Sequence, residues 1–244
     1  MRLARFDGRN ADEMRPVRIK PGFQRYAEGS ALIEVGETKV ICAVSIEDRI
    51  PAFLKGSGSG WITAEYAMLP RATNTRTQRD STAGKVSGRS LEIQRLIGRS
   101  LRAVANLDSL GERTFTIDCD VLQADGGTRT ASITAAYVAL AQAIHTLQEH
   151  GERLDSPLKG MVAATSVGIV DGIHLLDLCY DEDSRAQVDF NIVMNDRSEF
   201  IEVQGTAEGD PFSRESMDSL IQLAEKGIRQ LFTVQQQAIA EFGV

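Results

Sequence analysis

The stretch Leu122-Gln123-Ala124-Asp125-Gly126-Gly127-Thr128-Arg129-Thr130-Ala131-Ser132 decides how this 244-residue chain is read. Leading into it, Thr114 to Leu122 alternates polar and apolar residues and is rich in Thr, Val, Ile and Phe, the pattern of a strand. After it, Ile133, Tyr137, Leu140, Ala141, Ile144 and Leu147 return at helical spacing as one apolar stripe. A strand, two glycines and a helix in succession place free backbone amides at the positive end of a helix dipole, a geometry that receives an anion. The hydroxyls of Thr128, Thr130 and Ser132 are further donors. An isolated Gly-Gly is more often a plain turn, capped here by Asp125 or Thr128. Arg129 shifts the balance, because the dipole opposes a cation in the first helical turn by about 0.3–1 kcal/mol unless an anion lies between.

Upstream, a second helix is expected from Ser87 to about Asn106, with Ile93, Leu96, Ile97, Leu101 and Val104 facing the core. Arg95, Arg99 and Arg102 form a basic face that meets solvent or a partner's acids. Arg89 repeats the anomaly of Arg129, a cation in a first turn beside a glycine, and one shared phosphate relieves both. Between a strand at Trp61 to Met68 and this helix runs Pro70 to Lys85, which has almost nothing apolar to bury and is expected to be a mobile loop. Its Arg71, Arg76 and Arg79 are either a solvated linker or a string of donors for phosphates.

Hairpins are expected at Gly29 to Glu47, turning at Gly36-Glu37-Thr38, and at Met161 to Tyr180, turning at Asp171-Gly172. A short strand at Met14 to Lys20, strands at Val188 to Met194 and Phe200 to Gln204, and a helix opened by Pro211 and Ser213 complete the pattern. The fold class is α/β (α+β), a single domain over residues 1–244 built from two similar halves, about 1–150 and 151–244, with helices packed on sheets. Asp181-Glu182-Asp183-Ser184 is expected to end a strand, and alternation in the next one puts Asp189 and Asn191 opposite Val188, Phe190, Ile192 and Met194. A tight connection returns Asp183 and Asp189 to one neighbourhood. They are an acidic turn plus an edge residue, or a general acid with its partner, or the oxygen ligands of a magnesium ion.

Composition bounds the rest. The chain is 42% hydrophobic and 25% charged, ordinary for a globular protein. Met1 to Arg18 lacks an apolar core and no later run has spanning length, so the cytoplasm is the expected compartment. A net charge of −7 argues against a broad basic surface, so any RNA contact must be local. Cys42, Cys119 and Cys179, all in apparent strands and without ligand spacing, are expected to be buried thiols, and none of the three histidines has the setting of a catalytic base. Neither a P-loop nor a Gly-x-Ser-x-Gly motif occurs.

Gly60 to Tyr66, Met68 to Arg71, Gly88 to Ile97, Asp118 to Ile133 and Glu202 to Gly209 together resemble the bacterial ribonuclease PH family, and the resemblance covers essentially the whole chain. It implies a fold like domain 2 of ribosomal protein S5 and a homohexameric ring, a trimer of dimers. It implies a phosphorolytic 3′ to 5′ exoribonuclease, or tRNA nucleotidyltransferase, that trims precursor tRNA and other structured RNA with inorganic phosphate and releases nucleoside diphosphates. By the same resemblance Arg89, Gly127, Thr128 and Arg129 hold phosphate, Asp183 and Asp189 are the catalytic pair with Mg²⁺ as their expected metal, and Arg71, Arg76 and Arg79 guide RNA. The alternative is an RNA-binding subunit of an exosome-like ring that has no catalysis of its own.

Overall fold

The computed structural model describes residues 5–79, 82 and 84–242; residues 1–4, residues 80, 81 and 83 of the expected arginine loop, and residues 243–244 lie outside the described residues. The strands are β1 (Val17–Pro21), β2 (Gly29–Val35), β3 (Thr38–Glu47), β4 (Trp61–Met68), β5 (Thr114–Gln123), β6 (Val162–Val170), β7 (Ile173–Leu176), β8 (Val188–Asn195) and β9 (Phe200–Ala207). The helices are α1 (Gly88–Val104), α2 (Thr128–Glu149), the single turn α3 (Tyr180–Asp183) and α4 (Arg214–Ala240). One sheet runs β1-β2-β3-β5-β4 and the other β7-β6-β8-β9. The expected hairpins form, the second through Asp171 and Gly172 with φ of 51° and 75°, the left-handed pair that suits a two-residue turn.

The two halves are less alike than the sequence pattern suggests. In the first, α1 is inserted between β4 and β5 and makes that pair parallel, whereas every pairing in the second sheet is antiparallel. Each half nevertheless supplies one sheet, and α2 lies between them, on β2 and β3 at one side and β6 at the other.

That position corrects the expectation of a single apolar stripe. From Thr130 to Ala141 every residue of α2 is buried, so small and apolar residues surround the helix and its amphipathic contrast is weak. Ile133 and Leu140 are fully buried, each contributing about 1.5–3 kcal/mol. Gln235 of α4 donates through Nε2 to the carbonyls of Thr134 and Val162, joining both long helices to β6.

A second correction falls near the carboxylates. The strand expected to continue to Tyr180 stops at Leu176, Asp177 takes φ of 55°, and residues 180–183 form α3 rather than a strand end. A run of acids after an apolar strand has the composition of a turn, and its helical geometry arises from the capping box of Cys179 with Glu182. Cys179 is therefore a helix cap and not a strand residue. All three cysteines are free and buried, Cys42 and Cys119 facing each other across β3 and β5 with sulfurs 3.4 Å apart.

Candidate active site

The glycine turn follows from β5 and α2. Gly126 and Gly127 both have positive φ, 73° and 66°, and Gly127 is the N-cap of α2. Among the described residues no side chain caps this helix; neither Asp125 nor Thr128 takes that role. Its first backbone bond runs from Ala131 N–H to Gly127 C=O, so the amides of Thr128, Arg129 and Thr130 precede the ladder. Two of the hydroxyls expected to add donors are committed elsewhere: Thr130 donates to the carbonyl of Gly127 and Ser132 to that of Thr128. Thr128 remains at the loop, its hydroxyl 2.8 Å from that of the buried Tyr66. In the sequence Tyr66 reads as one more strand residue and carries no signal of this role.

A cavity of about 720 Å³ brings Arg89, Gly127, Thr128, Arg129, Asp183 and Asp189 together. The side chains chosen from charge placement on four separate elements thus share one space. Tyr180, Asn191, Ser166 and Met68 also line it. Of these, Asn191 carries the strand alternation that could have found it, while Ser166 and Tyr180 give no sequence signal.

The arginines differ from expectation in one respect. Arg129 is not left without a counter-charge: its Nη1 donates to Gln204 Oε1 at 2.8 Å and lies 3.7 Å from Glu92 Oε1, and Gln204 in turn donates to Glu92. Glu92 sits in α1, one turn after Arg89, so the opening turns of α1 and α2 are already bridged by protein groups. Arg89 is exposed and, among the described residues, forms no ion pair. Of the two arginines it is the one with an uncommitted guanidinium.

Asp183 stands open at the cavity mouth at the end of α3, and Asp189 is half-buried on β8. Crowding by protein atoms raises the pKa of Asp183 above the usual carboxylate range, outweighing the pull of Arg89, Arg129 and Arg15. Asp189 is also raised, by desolvation first and then by the charges of Asp183 and Glu208. The charge of Asp183 reaches Asp189, so the two carboxylates lie in one electrostatic neighbourhood. Neither forms an ion pair among the described residues.

Arg71, Arg76 and Arg79 are exposed and lie outside the cavity lining, to which their loop contributes Thr73. The loop is tied down at its start more firmly than a solvated linker. Ala72 is buried and accepts a hydrogen bond from Ala124, and the N–H of Thr77 returns to the carbonyl of Pro70. The arginine loop and the glycine turn are thereby joined. Arg79 acts on Asp120 of β5, lowering a pKa that burial raises.

The family model described as "3' exoribonuclease family, domain 1" matches residues 13–145, and "3' exoribonuclease family, domain 2" matches residues 160–227. The chain belongs to the 3′ exoribonuclease family. Among its relatives are proteins named Ribonuclease PH from Dehalococcoides mccartyi, strains BAV1 and CBDB1, each 61% identical over 96% of this chain and 97% of the relative. The fold is also that of more distant solved structures. Rice (Oryza sativa) Rrp46 matches with TM-score 0.77 and 20% identity over 96% of this chain and 100% of that one. A chain of the Archaeoglobus fulgidus exosome, solved with RNA bound to the active site, matches with TM-score 0.81 and 24% identity over 95% of this chain and 92% of that one.

Proposed function

We propose that Arg89 and the Gly127-Thr128-Arg129 turn hold inorganic phosphate, that Asp183 and Asp189 act on the leaving oxygen, and that Arg71, Arg76 and Arg79 lead the RNA strand in. The reaction is that of a phosphorolytic 3′ to 5′ exoribonuclease, the activity that this family and relatives of 61% identity give the chain. The single observation that carries the site assignment is the convergence of Arg89, the open amides of α2 and the two raised carboxylates in one cavity.

In this reading a phosphate oxygen attacks the last phosphodiester phosphorus. The new P–O bond forms as the bond to the preceding 3′ oxygen breaks, and the product is a nucleoside diphosphate whose outer phosphate came from solution. Two anions must approach each other, so the main task is neutralising and aligning them, which Arg89, Arg129 and the helix amides do. The departing 3′ oxygen needs a proton. A carboxylic acid whose pKa is raised carries one closer to neutral pH, which suits Asp183 or Asp189 as donor. Because no water is consumed, the reaction runs backward when nucleoside diphosphates exceed phosphate.

Magnesium fits the same two residues. They offer hard oxygen donors that no ion pair occupies among the described residues, beside the charges of Arg89 and Arg129, and no cluster of three or more metal-binding side chains exists among the described residues. Mg²⁺ typically uses one or two carboxylates and takes its other ligands from water and phosphate. When bound, it supplies charge neutralisation at the leaving oxygen.

Precursor tRNA and other structured RNA ends are the proposed substrates, and a homohexameric ring built as a trimer of dimers is the proposed assembly. The cytoplasm is the proposed location; among the described residues no helix is long and apolar enough to cross a membrane. The two halves are read as one domain, supported by α2 packing against both sheets. A catalytically inert ring subunit is not favoured, because the full constellation is present in one chain. Incubating RNA that has a 3′ extension with and without phosphate is the test. Shortening only in the presence of phosphate is expected, and shortening indifferent to it overturns the assignment.

A further inference from the structure

The first stretch of the described chain, before β1, has no strand or helix, yet three of its arginines are buried: Arg5, Arg9 and Arg15 keep 7%, 8% and 5% of their surface. Burying guanidinium groups is costly unless each finds acceptors. Besides Asp7 and the Glu13 carbonyl within the segment itself, their partners flank the site. Arg5 forks onto Glu182, with Nε 2.7 Å from Oε1 and Nη2 2.5 Å from Oε2, and also donates to the carbonyls of Leu176 and Asp177. Arg15 forks onto Asp177, with Nε 2.9 Å from Oδ2 and Nη2 2.7 Å from Oδ1, and its Nη1 donates to the carbonyl of Asp125. Arg9 donates to the carbonyl of Asp177 at 3.1 Å.

The acceptors sit at the joints of the catalytic geometry. Asp125 opens the phosphate loop and belongs to the first half. Asp177 and Glu182 bracket the entry to α3, which ends in Asp183 and belongs to the second. Asp177 holds a left-handed φ of 55° while 3% exposed, a conformation that persists in a non-glycine residue where its surroundings over-determine it. Further bonds close the clasp: Tyr180 N–H donates to Asp125 Oδ1 and Cys179 N–H to Glu182 Oε2. Arg15 itself does not line the cavity.

We propose that Arg15 and Asp177 are a positioning pair, locking the phosphate loop of one half against the turn that presents Asp183 from the other, while Arg5 and Glu182 fix that turn. This rests on the assignment of the phosphate loop and Asp183 given above. The N-terminal segment is then part of the catalytic apparatus without touching substrate. The same placement explains why Arg15 is among the charges acting on Asp183.

The test uses the full chain in its native assembly, with Arg15→Lys, Asp177→Asn, their combination and Asp183→Asn as reference. Phosphorolysis rates are normalised to folded protein by circular dichroism. Each single variant is expected to raise KM for phosphate and lower kcat together, with kcat/KM falling about 10²-fold, the effect of displacing a reacting group by about 1 Å. The double variant is expected to be no worse than either single one, since both open the same clasp. A merely structural role lowers the melting temperature and leaves both constants per folded molecule unchanged, and that result overturns the proposal. If Asp183→Asn keeps full activity, the site assignment itself falls; if it loses activity while Arg15→Lys does not, only the clasp falls. Should the clasp variants not fold, hydrogen exchange of the unmodified protein decides. Inorganic phosphate is expected to raise protection at residues 5–15 and 177–183 as well as 127–130, and protection confined to 127–130 overturns the proposal.

Discussion

Replacing Gly126 with alanine tests whether the proposed phosphate loop works by lying directly against the approach to α3. The new Cβ would stand 2.5 Å from the Leu178 carbonyl oxygen, 2.8 Å from the Cys179 carbonyl carbon and 2.9 Å from the Tyr180 nitrogen. These are backbone atoms and cannot swing aside. Ordinary contact begins near 3.5 Å, so loop and turn must part by about 1 Å. Overpacking of this kind costs about 1–3 kcal/mol. A further 1–2 kcal/mol, roughly, comes from forcing a side chain into the left-handed region, where Gly126 has φ of 73°. Gly172 supplies the control, because it has φ of 75° but nothing within 4 Å of its Cβ position. Gly172→Ala should therefore lose only the conformational part. In urea unfolding, Gly126→Ala is expected to be less stable than Gly172→Ala by about 1–3 kcal/mol. In phosphorolysis assays Gly126→Ala should lose about 10²-fold while Gly172→Ala keeps near-parental rates. Equal stability of the two variants, with Gly126→Ala still active within about threefold, would refute the claim that this close approach sets the catalytic geometry.

Asp183→Asn should combine loss of activity with gain of stability. Because the folded pKa of Asp183 is raised, the folded state binds a proton more readily than the unfolded chain between the usual value of 3.8 and the raised one, and stability falls as pH rises through that window. Thermal unfolding of the variant should thus occur above the parent at neutral pH, with the advantage vanishing below the usual value. Turnover should drop about 10²–10⁴-fold, and a variant less stable than the parent at neutral pH would contradict the sign. Arg89→Ala should raise KM for phosphate far more than it weakens RNA binding in a filter assay, and unchanged phosphate dependence would remove Arg89 from the site. Replacing Arg71, Arg76 or Arg79 singly with alanine should weaken RNA binding across sequences and reduce the slope of log affinity against log salt by about one for each RNA phosphate no longer neutralised. An unaltered slope would mean that the arginine concerned meets no phosphate.

The parts of this molecule legible in the sequence are those where a local rule has no competitor. β4 can be bounded to the residue because Trp61 to Met68 alternates cleanly between a glycine tract and a proline. Arg89 and Arg129 stand out because a cation in a first helical turn breaks a local electrostatic rule, and both line the cavity. For Arg129 that rule is incomplete, since Glu92 and Gln204 reach it from elements distant in sequence, and nothing local announces them. The all-round burial of α2 is hidden for a similar reason. A stripe can be read from spacing, but the alanines between its large residues look like neutral helix formers until a second sheet is laid over them. The acids of α3 resemble a strand end because their helical turn depends on a cap and on a buried arginine far upstream. Arg5 and Arg15, among ordinary polar residues at the chain start, look like surface charge, and only the folded arrangement shows them buried.

Phosphate as the attacking group is the central claim. The direct measurement supplies isotope-labelled inorganic phosphate with a short RNA and follows the label into the released mononucleotides. Label in the β-phosphate of nucleoside diphosphates, absent with Arg89→Ala at the same phosphate concentration, is the expected result. Release of unlabelled nucleoside monophosphates, formed by water, would contradict it.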